Sequence, residues 1–127
     1  MAPPITARSY SVGARSTELH GRVMCSVRNH HFIVDGPVQN GCPGEEVTPA
    51  ELFLTAVAAC GVELLQSFAR EARSGLRSVV VEISGWIDRS KPVRTDVTVF
   101  NGVGLKFRLA GVSAAEGAAL IERFKGR

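Results

Sequence analysis

Apolar and polar positions along the chain switch between two periods. From about residue 5 to residue 35 they alternate: Val23, Cys25 and Val27 with Met24, Ser26 and Arg28, then His31 and Ile33 with Phe32 and Val34. A period of two is that of a strand, and Asp35-Gly36-Pro37 breaks it. Residues 36–47 form a Gly/Pro-rich loop. Thr48-Pro49-Ala50-Glu51 then reads as a helix start, with Thr48 as N-cap, Pro49 at the first helical position and Glu51 where a capping box wants a carboxylate. The helix it opens is predicted over about 48–73, with Ser74-Gly75 as its stop. Alternation returns over about 77–109. Val79, Val81, Ile83 and Ile87 alternate with Val80, Glu82, Ser84 and Trp86; Val93, Thr95, Val97 and Val99 alternate with Arg94, Asp96, Thr98 and Phe100. Asn101-Gly102 predicts a two-residue hairpin leading into Leu105, Phe107 and Leu109. Ser113-Ala114-Ala115-Glu116 is a second capping box and opens a helix over about 113–125. Strands, helix, strands, helix is the order of an α+β fold, and no repeat or linker divides residues 1–127.

Between Leu52 and Leu65 apolar side chains occupy nearly every face of the predicted central helix. Such a helix wants burial on more than one side, and a chain of 127 residues builds only a modest core. A second subunit covering part of the helix is therefore expected. The same run would span about 21 Å at ~1.5 Å per residue, short of the ~30 Å hydrocarbon core of a bilayer, so no membrane span is expected.

Composition narrows the function classes. The chain is 45% apolar and 21% charged, the balance of an ordinary globular domain. Its net charge of +3 comes from scattered Lys and Arg, and its aromatics are six Phe, one Trp and one Tyr. A nucleic-acid partner needs a basic face and stacking rings, and is not expected. Met1-Ala2-Pro3-Pro4 lacks the basic-then-apolar run of an export signal. Three cysteines without a CxxC pair fit a reducing compartment, the cytoplasm, better than a disulfide framework.

Cys60 is the first residue to weigh for chemistry. It lies in Ala56-Val57-Ala58-Ala59-Cys60-Gly61, among small side chains that leave room beside the sulfur. It reads either as a buried, inert thiol or as a nucleophile. A nucleophilic thiol needs a positive field to hold it as thiolate. Cys60 is about 18 Å along the helix from Thr48, too far for the helix dipole, so an arginine from elsewhere must supply that field. His30 and His31 are adjacent in a strand and point to opposite faces. No spacing of Cys and His fits a metal, and no GxSxG elbow, P-loop or HExxH is present. Gly102-Val103-Gly104 lacks the third glycine and the helix of a dinucleotide loop.

Thr48-Pro49-Ala50-Glu51-Leu52-Phe53-Leu54 followed by Ala58-Ala59-Cys60 resembles the central-helix signature of the OsmC/Ohr family, the osmotically inducible protein C and organic hydroperoxide resistance proteins. Gly21-Arg22-Val23, Phe32-Ile33-Val34-Asp35-Gly36 and Gly111-Val112-Ser113 fall in the family's order, so the resemblance covers most of the chain. It implies antiparallel sheets wrapped around a long central helix in an intertwined homodimer with two interface sites. It also implies that Cys60 attacks the O–O bond of an organic hydroperoxide and becomes a sulfenic acid. A second cysteine then condenses with it, and an external dithiol reduces the disulfide. No bound cofactor or metal is implied. The family's arginine comes from an N-terminal loop; Arg15, in Gly13-Ala14-Arg15-Ser16, matches it, or is a solvated loop charge.

Two positions depart from the family pattern. The hydroperoxidases carry a glutamate directly after the proline; here that position is Ala50, with Glu51 one residue later. One residue turns a side chain by about 100°, so Glu51 does not simply replace it, and its place in the capping box already explains it. The family's second cysteine lies near the last helix, where this chain has none through Arg127. Cys42, in the loop Asn40-Gly41-Cys42-Pro43-Gly44, is a candidate resolving thiol or a surface cysteine without a role. It would reach Cys60 only if its loop folded back along the helix. Cys25, within an alternating strand, is expected in the core.

The reading is thus an OsmC-like thiol-dependent peroxidase of organic hydroperoxides, serving oxidative-stress defence. The alternatives are an OsmC-like protein binding a small apolar or thiol-reactive ligand at the dimer interface, and a structural interaction domain with Cys60 inert.

Overall fold

The structure is a computed structural model, and it describes residues 6–126; the reading of Met1–Pro4 lies outside them. The chain forms two compact units that divide between Leu52 and Phe53.

In the first unit the alternating segments pair as a three-stranded antiparallel sheet, β1 (Gly13–Ser16), β2 (Arg22–Val27) and β3 (His30–Asp35), in the order β1-β2-β3. Two residues, Arg28 and Asn29, join β2 to β3, with Arg28 in the left-handed region at φ +53°. The register sets Arg22 opposite Asp35, an opposite-charge cross-strand pair. The Arg22 guanidinium donates from Nε and Nη2 to the two Asp35 oxygens, at 2.8 Å each. Asp35 is fully buried, and its Oδ2 also accepts the backbone N–H groups of Glu45 and Glu46 at 3.0 Å. A buried carboxylate needs such satisfaction, and here its partners come from two segments. The Asp35 latch thereby ties the 36–47 loop to the end of the sheet. The Arg22 hydrogen bond is the largest cause that holds the Asp35 carboxyl well below the usual carboxylate range, with the two backbone donors adding to it.

Cys42 lies inside that loop and is half-buried. A Cβ on Gly21 or on Gly36 would come within 2.5 Å of its Sγ, so both glycines leave room for the cysteine side chain. Cys25, expected in the core, is also only half-buried.

The central helix, α1 (Pro49–Glu71), starts as expected: the Thr48 N–H and hydroxyl donate to Glu51 Oε1 at 2.9 and 2.8 Å. It ends earlier than Ser74-Gly75 predicted. Arg73 takes the left-handed position at φ +53°, and the Ser74 N–H reaches back to the Ala69 carbonyl at 2.9 Å, the 6→1 bond of a Schellman motif. At 23 residues α1 runs about 34 Å, so by length and composition it could cross a membrane. Its C-terminal half instead packs on its own chain. Leu65, Phe68 and Ala69 form the core of the second unit with Leu120, flanked by Val79, Phe107, Leu109 and Phe124.

Beneath that core β4 (Ser78–Trp86) and β5 (Gly102–Ala110) pair antiparallel, from Ser78 opposite Ala110 to Trp86 opposite Gly102. The last helix, α2 (Ala114–Lys125), carries the full Ser113/Glu116 capping box. Arg123 ties it to α1, its guanidinium lying 4.1 Å from the Phe68 ring centroid and ion-pairing with Glu71.

The expected strand over Val93–Phe100 and the two-residue hairpin at Asn101-Gly102 are corrected here. Residues 87–101 form one long connection without a strand. Asn101 acts as its staple: its N–H donates to the Trp86 carbonyl, its Oδ1 accepts the Asp88 N–H, and its Nδ2 donates to the Lys91 carbonyl. Gly102 is the first residue of β5, where a Cβ would lie 2.1 Å from the Trp86 ring. The glycine that signalled a turn accommodates an aromatic ring.

Two outcomes follow from the first unit. A carboxyl held below its unfolded value adds stability above about pH 4 and loses it as the pH falls further. Asp35→Asn should lower the thermal midpoint at pH 7 by about 5 °C or more and shrink the drop between pH 7 and pH 3; an unchanged drop would remove the latch from the account. Gly36→Ala should destabilise by about 1–3 kcal/mol through overpacking. Cys42→Ala in the same chain should recover part of that loss, and a double-mutant cycle showing no coupling would refute the contact with Cys42.

Candidate functional site

The position of Cys60 follows from the residue after it. Gly61 is buried, and a Cβ there would sit 3.6 Å from both Phe107 and Phe124. Those rings meet edge to face, with centroids 5.7 Å apart. The 3.6 Å approach is ordinary van der Waals spacing, so Gly61 lies on the side of α1 that faces this pair, in line with the buried Leu65, Phe68 and Ala69. Cys60 precedes Gly61 by one residue and is turned about 100° from the core line, and it is an exposed free thiol.

The sequence reading missed a neighbour on this side. Phe53 lies seven residues before Cys60, about 10.5 Å along the axis and within about 20° of the same line. Its ring is exposed and stacks on Phe100, with centroids 5.6 Å apart and planes 23° apart. The thiol therefore shares its side of the helix with the exposed Phe53 ring, which stacks on a half-buried Phe100. The i to i+7 spacing of Phe53 and Cys60 was a visible signal; Phe100 carried none, because it comes from the 87–101 connection.

The other candidates fall elsewhere. Arg15 belongs to strand β1, paired opposite Met24, rather than to a loop as the resemblance implied. Glu51 is engaged in the helix cap: the Thr48 backbone N–H, then the Thr48 hydroxyl, hold its carboxyl below the ordinary value. Cys42 is packed against Gly21 and Gly36, and its thiol faces the Asn40 carbonyl at 3.7 Å. Ser26 Oγ and His31 Nδ1 are 2.9 Å apart. Among the described residues no three His, Cys, Asp or Glu side chains converge as metal ligands would. A cavity of about 460 Å³ lies along the 87–101 connection and is lined by none of the candidate residues.

No family model and no curated protein matches the chain. Solved structures do. An OsmC-like protein from Mycoplasma pneumoniae superposes with a TM-score of 0.78 at 15% identity, over 94% of this chain and 82% of that one. An OsmC-like protein of unknown function from Vibrio cholerae gives 0.77 at 13% identity, over 94% and 89%. An organic hydroperoxide resistance protein OsmC from Legionella pneumophila gives 0.73 at 20% identity, over 94% and 83%. With two helices and antiparallel strands in the order read from the sequence, this α+β chain has the OsmC-like fold.

Proposed function

We propose that the protein is an OsmC/Ohr-type thiol peroxidase that reduces organic hydroperoxides through Cys60. The observation that carries the reading is the exposed Cys60 thiol on the central helix of an OsmC-like fold, beside the exposed Phe53 ring. An aromatic flank favours a hydroperoxide with an apolar body over hydrogen peroxide, because burying apolar area adds about 25 cal/mol per Å². In the reaction the Cys60 thiolate attacks the outer peroxide oxygen. The O–O bond breaks, the sulfur keeps one oxygen as sulfenic acid, and the remaining alkoxide takes a proton and leaves as alcohol. An external dithiol then condenses with the sulfenic acid, releasing water, and closes its own disulfide to return the thiol.

Arg15 is proposed as the cation that favours the thiolate and meets the alkoxide. The packing of Cys42 between two glycines supports a structural part for it, so the cycle is written with the external dithiol alone. The partner is a second copy of the chain. Of the apolar run from Leu52 to Leu65 only Gly61 and Leu65 are buried, while Leu52, Phe53, Ala56 and Ala59 are exposed, which supports a subunit over the N-terminal half of α1. The cytoplasm is the compartment that keeps three thiols free.

One observation favours the second reading, an OsmC-like protein that binds a small apolar or thiol-reactive ligand without turnover. Glu51 is engaged with Thr48, and Ala50 stands where the hydroperoxidases carry their glutamate.

Peroxide consumption separates the two. With a dithiol present, purified protein should consume cumene hydroperoxide at least tenfold faster than hydrogen peroxide, and Cys60→Ser should abolish turnover. No turnover, with an intact mass that never gains oxygen, would sink the peroxidase. Thr48→Ala should cost about 1 kcal/mol of stability through the lost cap while leaving peroxide turnover per folded molecule unchanged. A turnover loss with normal folding would instead give the Thr48–Glu51 pair a part in the chemistry.

A further inference from the structure

We infer that the C-terminal end of α1 carries a second site, which binds the phosphate group of a small molecule. A cavity of about 290 Å³ opens there, lined by Gln66 and Arg70 of α1, Ser74 of the turn, and Arg77 and Ser78 at the start of β4. Gln66 and Arg70 are four residues apart and share one face of the helix. The Schellman turn at Arg73 reverses the chain within a few residues and returns Arg77 to the same cavity. The Arg77 N–H donates to the Ala110 carbonyl at 2.8 Å, so its backbone is held at the end of the β4–β5 ladder rather than in a free loop.

Both arginines of this cavity are exposed and outside the ion pairs of the fold. Among the described residues the ion pairs use Arg22, Arg94, Arg108, Arg123 and Lys125; Arg70 and Arg77 pair with no carboxylate. Glu71, the acidic residue next to Arg70, is taken by Arg123. Two exposed arginines thus line one small cavity with no carboxylate paired to either among the described residues. The neutral groups beside them also suit an anion. Ser74 Oγ accepts the Leu76 N–H at 3.1 Å, which leaves its O–H to donate. The Gln66 amide adds N–H donors.

Magnitudes select the ligand. The helix C-terminus presents about half a negative charge over its last turn, which opposes an anion. Two full positive charges outweigh it. A phosphate monoester carries about −1.5 to −2 at neutral pH with three acceptor oxygens, which two arginines and a hydroxyl can balance and hydrogen-bond; a lone carboxylate matches half of that charge. Arg70 lies ten residues beyond Cys60, about 15 Å along the axis, so this site is separate from the proposed peroxide chemistry.

Inorganic phosphate is the probe, titrated calorimetrically into the full-length protein at constant ionic strength, with chloride and malonate as comparisons. Phosphate should give a saturable heat that chloride does not, and Arg70→Gln or Arg77→Gln should weaken it at least tenfold without changing the alkylation rate of Cys60. Arg77→Lys, which keeps the charge but loses the fork, should fall between. A phosphate response no larger than chloride's, or one unchanged in both glutamine variants, would overturn the site. Malonate binding as tightly as phosphate would overturn the phosphate assignment.

Discussion

The rotation of α1 about its own axis decides what each of its residues can do, and the burial of Leu65, Phe68 and Ala69 against Leu120 sets that rotation. Gly61 faces Phe107 and Phe124, and Leu65, Phe68 and Ala69 follow on that side into the core at helical spacing. With that line buried, Cys60 and Phe53, which share another side of the helix, are left exposed.

The first unit depends on a different kind of contact. Its sheet has three short strands and few buried apolar side chains, so much of its definition comes from polar groups. Asp35 collects two guanidinium donors and two backbone donors at one buried point. Removing it would leave Arg22 and the Glu45 and Glu46 amides without that acceptor. The loop that precedes the central helix is therefore ordered by a carboxylate rather than by hydrophobic contact, and Cys42 fills the space beneath it.

The longest disagreement with the sequence reading lies between Trp86 and Gly102. Val93, Thr95, Val97 and Val99 alternate as a strand should, and three of these valines remain substantially exposed: Val93, Val97 and Val99. Alternation reports the preference of a segment for a pleated, half-buried surface, yet a strand also requires a neighbour with free backbone groups. In this chain β4 and β5 pair with each other, and Asn101 commits its side chain to closing the connection between them. Asn-Gly had two possible uses, a hairpin turn or a ring platform, and local chemistry does not separate them. The return of Phe100 onto Phe53 is a result of that long connection.

Both helices, their capping boxes, four of the five paired strands and the α+β order were legible in the sequence, because each rests on interactions within a few residues or on a simple period; β1, around Arg15, was read as a loop. Thr48 with Glu51 and Ser113 with Glu116 needed only three residues to declare themselves. Cys60 was legible as the thiol to weigh. Its surroundings were not, since Phe100, Phe107 and Phe124 reach α1 from distant parts of the chain. The same holds for the Asp35 latch, for the packing of Cys42 beneath two glycines and for the paired arginines at the end of α1. Sequence determined which segments could be strand or helix, because backbone periodicity and capping are local. Tertiary structure decided which side chains share a site, because that depends on where the turns bring separate segments together.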